Sequence, residues 1–270
     1  MTSPVPWVLV TGGATRLGRA ISLAFAAAGW AVAIHHRHSA AQAQALADEL
    51  RARGTPVHLL CADLSERGVG ARLLSELPAE ASAGLRCLVN NASEFTEDSG
   101  WDCTRAQLER LFATNLFAPL ELTQALAHLV RRQPPTHGAA PTLPVPLALH
   151  ILDQKVDNLN PDYFSYTLTK LALQRAVGLQ AQAYAPTLRV CGLSPGLCFV
   201  SGPQTEDNFE RARRVNLLRR PLDPADIART AVHLAQTPGI NGCVIPVDNG
   251  QHRLGLARDV MFAVDLGLAP

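Results

Sequence analysis

Residues 7–18 read Trp7-Val8-Leu9-Val10-Thr11-Gly12-Gly13-Ala14-Thr15-Arg16-Leu17-Gly18. The apolar run over 5–10 has the character of a strand buried on both faces, and it stops at a glycine-rich turn. An Ala-rich amphipathic stretch over 19–28 then predicts a helix that Gly29 closes. Strand, glycine turn and helix in that order is the setting a phosphate-binding loop needs. Glycines let the backbone approach a pyrophosphate, and the helix N-terminus turns its free N–H groups toward the anion. An ordinary strand-to-helix turn has the same outline, and only the rest of the chain separates the two.

Outward from that turn, a second strand over 31–34 runs into His35-His36-Arg37-His38-Ser39. In a dinucleotide-binding fold the end of this strand meets the adenosine ribose. An acid there binds the 2′-hydroxyl of NAD, whereas an Arg accommodates the 2′-phosphate of NADP. This chain has no acid there and offers Arg37, His38 and Ser39, so NADP(H) is the expected cofactor, the alternative being a solvated basic turn. A helix over 40–53 follows, capped by Ser39 and stopped by Gly54 and Pro56. A third strand over 57–61 ends at Ala62-Asp63-Leu64, which puts Asp63 at the carboxyl edge of the sheet. Asp63 is also placed to cap the next helix, over 66–77. The fourth strand, 86–89, leads into Asn90-Asn91-Ala92-Ser93-Glu94-Phe95.

Helical segments are expected over 104–112 and from Asn115 to about residue 132. Asn115 sits among apolar neighbours and must be hydrogen-bonded inside, either opening a water site or as a plain structural group. Residues 133–146 contain five prolines and read as a surface loop. A fifth strand over 147–152 ends at Asp153. A helix over 163–184 carries Tyr166 and Lys170, four apart and therefore on one face. A free phenol has a pKa near ~10, and an ammonium one turn away favours the phenolate, so this pair reads as a proton donor beside a cation. The sixth strand, 188–193, ends at Ser194-Pro195-Gly196. Residues 197–222 look polar and irregular, suited to a substrate lid, although their arginines could equally form a solvated face. A helix from Asp223-Pro224 to about residue 235, a last strand over 242–247 and an amphipathic tail complete the chain.

Composition narrows the class. At 270 residues the chain suits one α/β domain, here read as 1–270, and 47% hydrophobic residues supply a large core. A net charge of +1 points to neither a nucleic-acid nor an acidic-polymer partner. The six cysteines form no Cys-x-x-Cys pair, so no metal site is expected, and buried free thiols fit a reducing cytoplasm. The first apolar run is too short for a signal peptide, and none approaches the ~20 residues that span a bilayer.

Taken together, these residues resemble the short-chain dehydrogenase/reductase family, over roughly residues 5 to 250. The matching positions are Thr11-Gly12…Gly18, Asp63, Asn90-Asn91-Ala92, Asn115, Tyr166, Lys170 and Pro195-Gly196. The resemblance implies a single-domain α/β Rossmann fold, a doubly wound parallel sheet of about seven strands with helices on both faces. It also implies a homotetramer built through the helices near 104–132 and 163–184. Two departures narrow it. Arg16 stands where the wider family has Gly, and Asp153 stands where it has a Ser thirteen residues before the Tyr. With Ser93 and Phe95 after the Asn-Asn-Ala motif, these are similar to pteridine reductases, including dihydromonapterin reductases.

That resemblance implies NADPH held by Gly12, Arg16, Leu17, Gly18, Arg37, His38, Ser39, Asp63, Leu64, Asn91, Ala92, Ser93, Tyr166, Lys170, Pro195 and Gly196. It implies a pterin held by Arg16, Ser93, Phe95, Asp153 and Tyr166, with catalysis by Asp153, Tyr166, Lys170 and Asn115. The expected reaction is reduction of a dihydropterin, such as dihydromonapterin or dihydrobiopterin. Physical chemistry agrees: a flat heterocycle gains from stacking on Phe95. A carboxyl away from water has a raised pKa and can donate or relay a proton. A carbonyl reductase of the same fold and a non-catalytic NADP-binding sensor remain as alternatives.

Overall fold

The computed structural model describes residues 5–133 and 143–269, so most of the proline-rich loop expected over 133–146 lies outside the described residues. In chain order the elements begin β1 (Trp7–Val10), α1 (Arg16–Ala27), β2 (Ala31–His36), α2 (Ala40–Ala52) and β3 (Val57–Cys61). They continue with α3 (Val69–Ser75), α4 (Ala79–Gly84), β4 (Leu85–Asn90), α5 (Arg105–Phe112), a π turn (Ala113–Phe117) and α6 (Ala118–Arg131). Then come β5 (Leu147–Ile151), α7 (Phe164–Tyr184), β6 (Arg189–Pro195), α8 (Glu206–Ala212), α9 (Pro224–Gln236), β7 (Val244–Val247) and α10 (Val260–Asp265).

The strands form one parallel sheet in the order β3-β2-β1-β4-β5-β6-β7. Successive side chains along a strand point to opposite faces. Val8, Val10, Val32, Ile34, Val89, Leu149 and Leu193 therefore pack with α1, α2 and α9. Leu9, Ala31, Ala33, Leu88, Ala148 and Val190 face the other way, toward α3 and α6. Both faces being covered is why the strands read as continuous apolar runs. Strand order reverses between β1 and β4, and in open α/β sheets ligands bind beyond the carboxyl ends of the strands at such a switch point. The loops after β1, β4, β5 and β6 meet there.

Several local expectations are corrected. Helix α1 begins at Arg16 rather than 19, so the glycine loop is shorter than the pattern suggested. Strand β2 runs on through His36, which takes His35 into the interior. Ser39 makes no side-chain cap to α2; its backbone (φ −93, ψ 48) is not in the extended region from which a cap aims its hydroxyl back. Asp63 does not cap a helix either. Its Oδ1 accepts from the Ser65 N–H (2.9 Å) and hydroxyl (2.7 Å), and α3 starts only after Gly68 turns left-handed (φ 73). The 197–222 segment is not irregular throughout. It contains α8, capped by Thr205, which turns buried Ala212 toward the cluster that also holds Val260 and Ala263 of α10. Among the described residues no helix is long and apolar enough to cross a membrane.

Candidate active site

The phosphate loop is drawn tight by its neighbours. Gly12 has φ 60, a conformation that favours glycine, and a Cβ on Gly18 would lie 2.0 Å from the Gly12 carbonyl oxygen. Thr11 Oγ1 accepts from the N–H groups of Asn91 (2.9 Å) and Ala92 (3.0 Å). Asn91 Nδ2 donates back to the carbonyls of Thr11 (2.9 Å) and Gly12 (3.3 Å). Asn91 thus knits the loops after β1 and β4 together. His35 adds a tie that the sequence did not reveal. Its Nδ1 accepts from the Gly12 N–H (3.2 Å), so Nε2 carries the proton and donates to the Ala62 carbonyl (3.1 Å). Burial lowers its pKa to about 4, which keeps the ring neutral.

The residues expected at the adenosine end lie together, outside the central cavity. Arg37 pairs with Asp63 (2.7 Å) and with Glu94 (3.4 Å), and its side chain is 43% exposed. Burial raises the Asp63 pKa, but the Ser65 hydrogen bonds and the Arg37 charge outweigh it and hold the carboxyl below its usual value. His38, Ser39 and Leu64 follow the same strand ends.

At the other end, the turn after β5 and the face of α7 bring together Asp153, Tyr166 and Lys170. The Tyr166 hydroxyl donates to Asp153 Oδ2 at 2.8 Å. Lys170 Nζ donates to the Ile151 carbonyl at 2.8 Å and lies 5.6 Å from the Tyr166 ring centroid. The expectation that Lys170 lowers the phenol pKa is overturned. Burial and then the Asp153 carboxylate raise Tyr166 well above the ordinary phenol value, because its hydroxyl faces an anion and not the ammonium. Tyr166 therefore keeps its proton. Burial also raises Asp153, against the Lys155 N–H and the charges of Lys155 and Lys170, and lowers Lys170 to about 8.

Phe95 forms part of the wall. Its ring stacks on Tyr163 (centroids 4.0 Å, 23° between planes) and meets Tyr166 edge-on at 4.7 Å. Tyr163 precedes α7 with φ 55 and cannot cap the helix itself. Asp98, from the loop after β4, accepts from the Ser165 N–H at 3.0 Å in its place. Asn115 uses all four hydrogen-bonding positions of its amide. Oδ1 accepts from the Glu94 N–H (2.8 Å) and the Ser93 hydroxyl (3.2 Å), and Nδ2 donates to the Glu94 carbonyl (2.9 Å) and Thr169 (3.3 Å). Of the two roles left open for it, the side chain fills the structural one, clamping the loop after β4 to α7.

The cavity between these groups is about 570 Å³ and is lined by Arg16, Asn91, Phe95, Asp153, Tyr166 and Lys170, among others. Arg16 donates to the Val200 carbonyl (2.5 Å) and lies over the Phe199 ring at 5.4 Å, joining the phosphate loop to the lid segment. Pro195 and Gly196 close the far wall, where a Cβ on Gly196 would meet Asp248 and Gln251 Oε1 at 2.8 Å. Lys155, Asp259 and Val260 also line the cavity, and no motif singled them out. A lysine two places after Asp153 reads as solvated, because burial is not visible in sequence.

A family model described as Enoyl-(Acyl carrier protein) reductase matches residues 12–252. The solved structure of FolM Alternative dihydrofolate reductase 1 from Brucella canis, complexed with NADP, is 34% identical with a TM-score of 0.82. The match covers 93% of this chain and 95% of that one. Pteridine reductase 1 of Leishmania tarentolae is 30% identical over 288 residues, covering 92% of this chain and 97% of that protein. The uncharacterized oxidoreductase MT0954 of Mycobacterium tuberculosis (strain CDC 1551 / Oshkosh) is 30% identical over 248 residues, 90% of each chain.

Proposed function

The chain belongs to the short-chain dehydrogenase/reductase family of oxidoreductases, and on that premise we propose that it is an NADPH-dependent reductase of pterins, taking a dihydropterin to the tetrahydro form. The observation that carries this reading is the 2.8 Å bond between Tyr166 and Asp153, made beside Phe95 at the cavity wall. A ketone needs one hydroxyl-type donor. A C=N bond in a nitrogen-rich ring needs a proton at nitrogen and several polar partners, which a carboxyl–phenol pair supplies.

The residues present fit the cofactor. Gly12 and Gly18 let the loop close tightly on itself and on Asn91, where a Cβ would collide, and Arg16 and Leu17 start the helix whose N–H groups would face a pyrophosphate. Arg37, His38 and Ser39 would take the 2′-phosphate, with Arg37 leaving Asp63, and Asp63 and Leu64 would border the adenine. Asn91, Ala92, Ser93, Pro195 and Gly196 would border the nicotinamide half, and Lys170 its ribose. Bound NADPH supplies hydride to the substrate carbon. Tyr166 would give its proton to the substrate nitrogen, and Asp153 in its protonated form, one hydrogen bond away, would replace it and be reprotonated from solvent. Phe95 stacks the ring, Ser93 and Arg16 hold its polar edge, and Asn115 fixes the wall behind.

A homotetramer is proposed with it, because Phe117 (52% exposed), the last residue of the π turn before α6, and Leu179 (69% exposed) on α7 are apolar side chains left at the surface. NADPH oxidation measured against dihydropterins, dihydrofolate and simple ketones tests the reading. Turnover of dihydropterins supports it, and turnover of ketones alone replaces it with a carbonyl reductase.

A further inference from the structure

Lys155 is 2% exposed, although lysine is among the residues least often found inside. Its Nζ donates to Asp259 Oδ2 (2.9 Å) and to Asn160 Oδ1 (2.8 Å). Its main-chain N–H donates to Asp153 Oδ1 at 2.9 Å. One residue thus holds the carboxyl beside Tyr166 with its amide and the C-terminal segment with its ammonium. Asp153 is thereby gripped at both oxygens, Oδ1 by the Lys155 amide and Oδ2 by the phenol.

The far end of the tie is equally anchored. Asp259 Oδ1 accepts from the Met261 N–H (3.1 Å) and so caps α10. The Asp259 N–H donates to Asp162 Oδ2 (2.7 Å), and Arg258 holds Asp162 through both Nε and Nη2. A buried ion pair adds little stability over an apolar pair of the same size, but removing one partner strands the other charge. Here the pair joins two segments 104 residues apart, and one of them is the turn that bears Asp153.

We propose that Lys155 and Asp259 are the positioning pair by which the C-terminal segment holds Asp153 in line with Tyr166. This rests on the reading of Asp153 as the proton partner of Tyr166. Neither residue transfers a proton. Losing either leaves a charge that must find new partners, and the turn over 153–156 shifts with it. Displacements of about 1 Å at a reacting group cost on the order of 100-fold in rate.

The test compares Lys155→Met, Asp259→Asn and the double variant Lys155→Met/Asp259→Leu in the full chain, with Asp153→Asn in parallel. NADPH Kd, kcat and KM for a dihydropterin are measured below the melting temperature of each. Each single variant is expected to lower kcat about 10- to 100-fold with NADPH Kd within about twofold of the parent. The double variant, with no stranded charge, is expected to recover part of that loss. Asp259→Asn keeps the oxygen that caps α10 and carries the test if Lys155→Met does not fold.

A folded single variant with parental kcat overturns the inference, as does a lowered melting temperature alone. Losses that multiply in the double variant also overturn it. Full turnover by Asp153→Asn would instead remove the proton-partner reading beneath it. Loss of turnover in Asp153→Asn with parental kcat in both single variants removes only the positioning role.

Discussion

The Tyr166 hydroxyl donates to Asp153 Oδ2 at 2.8 Å; burial and then the carboxylate hold the phenol proton in place, while burial raises Asp153 against that same hydrogen bond. Tyr166→Phe deletes the donor, and Asp153→Ala deletes the group that resupplies it. Each is expected to lower kcat by about 10²- to 10⁴-fold, the usual worth of a placed general acid. NADPH binding, followed by fluorescence titration, should survive in both. Turnover within a few-fold of the parent in either variant would take that residue out of the mechanism.

The pH dependence of turnover follows from the same groups. Reduction uses the protonated forms of Asp153 and Tyr166 and the charged form of Lys170, whose pKa burial lowers to about 8. Activity should therefore be highest on the acid side, decline as Asp153 loses its proton, and fall further as pH rises through about 8, where Lys170 loses its charge. A profile of kcat/KM that stays level to pH 10 would contradict this.

Stability should move the opposite way with pH. Burial lowers His35 and His150 from 6.5 to about 4, and for His150 it outweighs the hydrogen bond to Gln180, which favours the charged ring. Above 6.5 neither ring is charged in the folded or the unfolded chain. Between 6.5 and 4 the unfolded chain binds protons that the folded one refuses, so stability falls as pH falls. Each ring contributes on the order of 3 kcal/mol at most. Asp153, raised by burial, offsets part of this as it gains its proton. Thermal melts from pH 7 to 4.5 should show a falling Tm; a constant Tm would mean that water reaches these rings.

Cofactor preference tests the adenosine end. Arg37→Asp removes the one guanidinium in the 35–39 group and sets a third carboxyl beside those of Asp63 and Glu94. KM for NADPH should rise about 10- to 100-fold, with far less effect on NADH, since only the phosphorylated ribose needs the cation. An unchanged NADPH:NADH ratio would assign Arg37 to its ion pairs alone.

Leu179→Arg places a charge on the exposed apolar face of α7. If α6 and α7 build the assembly, light scattering should record a smaller species than the parent, with the far-UV spectrum retained. An unaltered mass would move the interface elsewhere.

The chain's own order of residues was enough for the doubly wound sheet and for the line of Gly12, Gly18, Asp63, Asn91, Asp153, Tyr166 and Lys170. Parallel strands buried on both faces leave uninterrupted apolar runs, and each run ends where a loop must face the ligand crevice, so periodicity and punctuation locate both. Helix starts and caps were less legible at α1, Ser39 and Asp63, because capping depends on a backbone angle that residue type only biases. What only the tertiary structure decided is which polar groups are inside and what they touch. Tyr166 was expected to be tuned by Lys170, one turn along the same helix, and instead answers to a carboxylate on another element. His35, Lys155 and Asp259 look like surface residues in sequence and become ties within the site. Local spacing sets which residues share a face, but burial and pairing across the fold set their charge, and those contacts form only when distant segments meet.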